Sequence, residues 1–408
     1  MTARNLTLAS AQVSPPIRHT GESSLAAIRE LVPGIAARAL ETEQMRRVHP
    51  DTIRELHEAG LMRLMQPARF GGSELWLDDL MNVVFEIAKV CASTAWVYSN
   101  LASHSWNIGQ FELQTQEDIW AADPNALAAT GLAFPCGKAK PVAGGFQLSG
   151  RWPFCSGINA STWMFVGAMT EQDGGPPQRR FFLVPESDFI VHDNWNTYGL
   201  TGTGSHDIEI QNAFVPAHRS VSAEVFAAAQ QLPGAKLYDN PLYGMPTFAA
   251  FAYVLCGIPV AAAKGAVEQL TASLRQRAGT YTGARLAELN SVQMRIAEAS
   301  ACVEFAETVI RRDWQALEAY TRQREYPSME VKLSWKRNAA FATQLAVRAV
   351  DALMPASGAG GLSAHGTLQR QFRDIHAASA HIALTWDVHG AAYGQSALGL
   401  PSPAGFLL

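Results

Sequence analysis

The residues of this chain most able to carry chemistry are its histidines and a serine-bearing aromatic segment. Eleven histidines occur, but His376 and His381 are five apart, and His381 and His389 eight. Neither spacing matches an HExxH helix and no carboxylate-rich cluster flanks them, so no metal site is expected. No GxSxG elbow is present, which argues against the common serine hydrolases. No glycine-rich stretch reads GxGxxG between a strand and a helix, or GxxxxGK followed by Ser or Thr. Gly202-Thr203-Gly204-Ser205 reads as a turn, with glycine supplying positive φ. The informative segment is Gly150-Arg151-Trp152-Pro153-Phe154-Cys155-Ser156-Gly157. A strand running into a small-residue loop, with aromatics beside a hydroxyl, suits a flat ring that stacks and hydrogen-bonds at its edge. On these residues alone, a strand ending in a turn is the competing reading.

The elements that must position these groups fall into three blocks, 1–126, 127–233 and 234–408. After a polar start over residues 1–20, Ile28, Leu31, Ile35 and Ala39 recur at helical spacing, as do Leu80, Val83, Ile87 and Val90. Pro50-Asp51 marks a helix start. The middle block reads as short strands, with a hairpin expected over Lys140–Leu148 around a Gly144-Gly145 turn. The last block predicts helices over Ser291–Leu317, Val331–Met354 and Leu368–Tyr393. Helices, a β insert and then helices make an α+β arrangement, unlike the βαβ alternation of a nucleotide-binding fold.

Composition narrows the class. Of 408 residues, 48% are hydrophobic and 17% charged, so the chain can bury a core. A net charge of -4 disfavours a nucleic-acid binder. Five scattered cysteines without a CxxC pair fit a reducing compartment. No secretory signal is read at the start, and a cytoplasmic location is expected. The longest apolar run, Phe248–Ala263, is short for a membrane span and contains Pro259, so it reads as a buried helix and no membrane partner is expected.

Gly150–Gly157, the run Gly199–Asp207 followed by Phe214-Val215-Pro216, and Gly360-Gly361 followed by Leu368–Asp374 together resemble the acyl-CoA dehydrogenase superfamily. The resemblance spans almost the whole chain. It implies a helical N-terminal domain, a β-barrel-like middle domain and a C-terminal four-helix bundle, assembled as a homotetramer. Two departures stand out. His381-Ile382 occupies the place where a dehydrogenase commonly carries its glutamate base, and Gly131–Gly137 replaces the usual Gly-Ser-Asp loop. These departures, with Ser93–Trp96 and Ser103–Trp106, resemble the oxygenase components of two-component flavin-dependent monooxygenases.

That branch implies hydroxylation of a small aromatic substrate, a phenol above all, using O2 and reduced flavin through a C4a-hydroperoxide. It also implies a separate NAD(P)H-flavin reductase, and FMN, or FAD, as the flavin. By this resemblance Ser156 lies near flavin N5, His381 near C4a, and His104 against the substrate hydroxyl. Trp96, Leu132, Ala133, Phe134, Cys155, Gly157 and Ile382 line the flavin. Arg277 meets a flavin phosphate, and Ala359-Gly360 approaches the flavin of a neighbouring subunit. The competing enzyme class is an acyl-CoA dehydrogenase with a relocated base.

Overall fold

The computed structural model describes residues 17–401 apart from 173 and 282; most of the expected polar start lies outside the described residues. The N-terminal part is helical: α1 (Gly21–Ala37), α2 (Ala39–Gln44), α3 (Pro50–Glu58), α4 (Leu77–Ala88), α5 (Ala92–Gly109) and α6 (Leu113–Trp120). α3 begins at Pro50, as expected. All 18 residues of α5 are buried. Its many Ala, Ser and Thr side chains let α4, the first strand and the bundle helix Tyr253–Leu274 close around it.

The strands are β1 (Ala128–Gly131), β2 (Gly137–Val142), β3 (Gly145–Cys155), β4 (Trp163–Thr170), β5 (Gln178–Pro185), β6 (Ile190–His192), β7 (His206–Pro216) and β8 (Ser220–Ser222). They form one mixed sheet in the order β6-β7-β3-β2-β4-β5-β8, with β1 alongside β4. The expected hairpin is present, but Val142 pairs with Gly145, so its turn is Ala143-Gly144 rather than Gly144-Gly145. Gly144, the second turn residue, has φ +80°, in the left-handed region that favours glycine. The β3–β7 register shifts between Trp152 and Cys155. Phe154 there adopts φ +64°. Such a bulge re-aims the residues that follow it.

Five short or medium helices, α7 (Ala223–Ala227), α8 (Pro233–Leu237), α9 (Thr247–Ala250), α13 (Thr367–Ser379) and α14 (Trp386–Ala397), flank the long α10 (Tyr253–Leu274), α11 (Asn290–Arg322) and α12 (Met329–Ser357). α10 to α13 make the four-helix bundle, with α14 laid on α12. The apolar run lands on α9 and α10. Thr247–Leu274 is long and apolar enough to cross a membrane, but 83% of its most apolar window is buried inside the protein.

The single helix expected over Leu368–Tyr393 is broken between Ser379 and Trp386. Ala377-Ala378-Ser379-Ala380 offers little apolar surface to hold a further turn. The Ser379 hydroxyl donates to the His376 carbonyl at 2.8 Å, and Thr385 to the His381 carbonyl at 3.0 Å. Local side-chain bonds of this kind compete with helix continuation. The break is where His381 sits.

Candidate active site

The bulge in β3 delivers Ser156 to α5. The Trp96 indole N–H donates to Ser156 Oγ at 3.2 Å, and Ser156 Oγ lies 2.7 Å from Ser205 Oγ. Ser205 Oγ is in turn 2.7 Å from Thr203 Oγ1. The next residue, Gly157, has φ +75°, and a Cβ there would lie 3.0 Å from Val97 of α5. Positive φ and this close approach both favour glycine.

His381 faces the same indole, its ring 5.4 Å from that of Trp96 at 68°, and 6.1 Å from Phe251. His381 Nδ1 accepts the Ala383 backbone N–H at 3.2 Å. A neutral ring held this way carries its proton on Nε2 and is a donor there. Burial, helped by nearby His389, pushes its pKa down to about 4, so it is neutral near pH 7.

His104 lies eight residues beyond Trp96 on α5, about 12 Å along the axis at ~1.5 Å per residue. Its Nδ1 donates to the Ala128 carbonyl at 2.8 Å. A carbonyl only accepts, so the neutral ring exposes a lone pair at Nε2. Burial pushes this pKa down to about 4 as well, against the pull of the Ala128 carbonyl. His104 lines a small apolar pocket with Leu132, Phe165, Phe181, Phe248 and Phe251. Phe251 joins the two histidines, forming a wall of this cavity and packing against His381.

A second layer holds the turn opposite Ser156. The Leu200 N–H donates to Asp374 Oδ1 of α13 at 2.7 Å. Burial pushes the Asp374 carboxyl up to about 7, partly offset by that bond. Gly199 permits the approach, since a Cβ there would lie 2.2 Å from the Arg373 carbonyl oxygen.

Trp96, Ser156 and His381 thus meet within one chain, and His104 adjoins them through Phe251. Ile382 is 52% exposed beside His381. Leu132 lines the His104 cavity, and Ala133 is exposed. Two of the residues expected to line the flavin turn their side chains inward. Phe134 turns into the aromatic core, 4.9 Å from Phe181, and the Cys155 thiol donates inward to the Trp152 carbonyl at 3.5 Å. Strand alternation sends Cys155 to the face opposite its neighbours, and Phe134 gains more from burial than from the cleft. Arg277 follows α10, as expected, and donates to the Ser357 carbonyl at 3.2 Å. With Gly360 it lines a separate hollow, and Ala359 is exposed nearby. No cluster of potential metal ligands occurs among the described residues.

Sequence reasoning missed Thr203, Ser205 and Phe251 as parts of the site. The first two sit in a stretch that reads as a plain turn, and nothing local ties Phe251 to either histidine.

The family model described as acyl-CoA dehydrogenase, N-terminal domain, matches residues 24–120, and that described as acyl-CoA dehydrogenase, C-terminal domain, matches residues 253–386. The chain belongs to the acyl-CoA dehydrogenase family. Within this family its relatives include the oxygenase component of p-hydroxyphenylacetate 3-hydroxylase from Acinetobacter baumannii. That protein is 33% identical over 94% of this chain and 91% of its own length. The oxygenase component of an FADH(2)-dependent resorcinol hydroxylase from a Rhizobium species is 33% identical over 96% of each chain. Among solved structures, a 3-HSA hydroxylase from Rhodococcus sp. RHA1 superposes with a TM-score of 0.89 at 31% identity, covering 95% of this chain and 99% of that one. The protein therefore stands with the hydroxylase oxygenase components of the acyl-CoA dehydrogenase family. His381-Ile382, where a dehydrogenase commonly places its glutamate, agrees with that position.

Proposed function

We propose that this protein hydroxylates a small phenol with O2 and reduced flavin supplied by a separate reductase. The opposed tautomers of His104 and His381 carry the reading. A flavin would lie against the face where exposed apolar side chains neighbour the polar groups in sequence: Phe154, 69% exposed, by Ser156, and Ile382, 52% exposed, by His381. Bound reduced flavin would activate O2 and deliver one oxygen atom to the substrate.

The chain's own residues do the rest. His104 Nε2 accepts a hydrogen bond from the phenol hydroxyl, and the Ala128 carbonyl keeps the ring in the tautomer that can accept. That hydrogen bond raises electron density at the ortho carbon. The aromatic wall of Phe165, Phe181 and Phe248 excludes water. His381 Nε2–H supplies a neutral donor on the flavin side, fixed by the Ala383 amide. Ser156 holds the flavin edge, and Trp96 bounds it. Arg277, Ala359 and Gly360 are assigned to the phosphate end of a neighbouring subunit's flavin in a homotetramer. The proposed flavin is FMN; FAD is the competitor, because one relative is named for FADH(2).

The test is rapid mixing of the protein with pre-reduced FMN or FAD, O2 and a panel of phenols. The expected result is an ortho-hydroxylated product carrying oxygen from ¹⁸O2. Tight retention of oxidised FAD, reduced by an acyl-CoA thioester, would overturn the assignment in favour of a dehydrogenase.

A further inference from the structure

The hydroxyls behind Ser156 form a directed chain. The Thr203 hydroxyl donates to the Leu200 carbonyl at 2.8 Å. That carbonyl also accepts the Trp195 indole N–H at 3.1 Å and the Thr203 N–H at 3.1 Å, so the hydroxyl is its nearest donor. With its proton committed there, Thr203 Oγ1 can only accept from Ser205, 2.7 Å away. Ser205 then has no proton left for Ser156, so Ser156 donates to Ser205 across 2.7 Å. Trp96, a donor only, fills one lone pair of Ser156. Every hydroxyl proton runs inward, and Ser156 keeps one lone pair as an acceptor. The reverse polarity would break the Thr203–Leu200 bond and leave the Ser156 proton without a partner in the protein.

We infer that Thr203 and Ser205 are positioning residues that hold Ser156 as a hydrogen-bond acceptor, so that the cleft selects reduced over oxidised flavin. Reduced flavin bears a proton at N5 and donates it; oxidised flavin has only a lone pair there. The anchor at the far end is Leu200, which has φ +50° and whose N–H is held by Asp374. The bundle helix α13 thereby anchors the turn at the inner end of this hydroxyl chain. This inference rests on a flavin occupying the cleft with N5 at Ser156.

The experiment measures dissociation constants of oxidised FMN and, anaerobically, of reduced FMN for the wild type, Thr203→Val and Thr203→Ser. Valine keeps the shape but removes the inward proton path, so Ser205 turns its proton to Ser156 and Ser156 turns its own to the cleft. The ratio of oxidised to reduced dissociation constants should fall by about three- to tenfold in Thr203→Val, the worth of one neutral hydrogen bond. Thr203→Ser should keep the wild-type ratio. A purely structural role would weaken both forms alike and leave the ratio unchanged, which overturns the inference. Should Thr203→Val misfold, Ser205→Ala carries the same expected fall. If the wild type binds neither form of FMN or FAD, the flavin assignment itself fails, and this inference with it.

Discussion

His104 and His381 have the same side chain and the same depressed pKa, about 4, yet the backbone sets them to opposite tasks. A carbonyl meets Nδ1 of His104, and an amide meets Nδ1 of His381. One ring is left to accept at Nε2 and the other to donate. Burial keeps both neutral, so the contrast survives at physiological pH. An imidazole's role here is therefore set by its backbone partner more than by its acidity.

The contrast breaks most severely at His104. Replacing it with Ala removes the only acceptor proposed for the substrate hydroxyl, and single-turnover product formation should fall by about 10²–10⁴-fold. Product quantified per reduced flavin checks this; retention of more than half the wild-type yield would exclude His104 from the chemistry.

The next effect is on stability. His104 has a folded pKa of about 4, below the ordinary value of about 6.5. Between these values the unfolded chain binds a proton that the native ring refuses. Stability should be steady above about pH 6.5, fall as pH drops towards 4, and level off below. For this 5% exposed ring the loss amounts to about 3 kcal/mol. Denaturant unfolding across that range should show a shallower acid dependence in His104→Asn than in the wild type.

Removing the donor at His381 with Ala should divert about tenfold more oxygen to hydrogen peroxide for each product formed, the scale of one lost hydrogen bond. A peroxide assay run beside the product assay reads the ratio. An unchanged ratio would leave His381 as a packing residue for Trp96.

The smallest effect sharpens the comparison by its absence. Neither ring titrates near neutrality, so single-turnover yield should vary by less than about twofold between pH 6 and 8. A midpoint near 6.5 that disappears in His104→Asn would show that His104 is not held neutral.

Much of the candidate site was legible because its residues lie in recognisable runs. Ser156 stands in an aromatic strand end, and His381 follows Arg373-Asp374 at the place of a missing carboxylate. The break that presents His381 was not legible, because Leu368–Tyr393 keeps a helical pattern through the interruption. The hydroxyl chain was also hidden. Thr203 and Ser205 are separated from Ser156 by nearly fifty residues, and only the β3–β7 pairing brings them together. The aromatic cluster that packs Phe134 was hidden as well, since its members lie far apart along the chain.

The amino-acid order alone determined the three-part architecture and the residue types of the candidate site, since periodicity, turns and motif spacing are local properties of a chain. The tertiary structure decided the hydrogen-bonding pattern: which imidazole nitrogen is left free, and which partners each hydroxyl meets. Those depend on a carbonyl from β1, an amide in a helix break and a carboxylate from the bundle. A proton follows the nearest acceptor in space, whatever the distance along the chain.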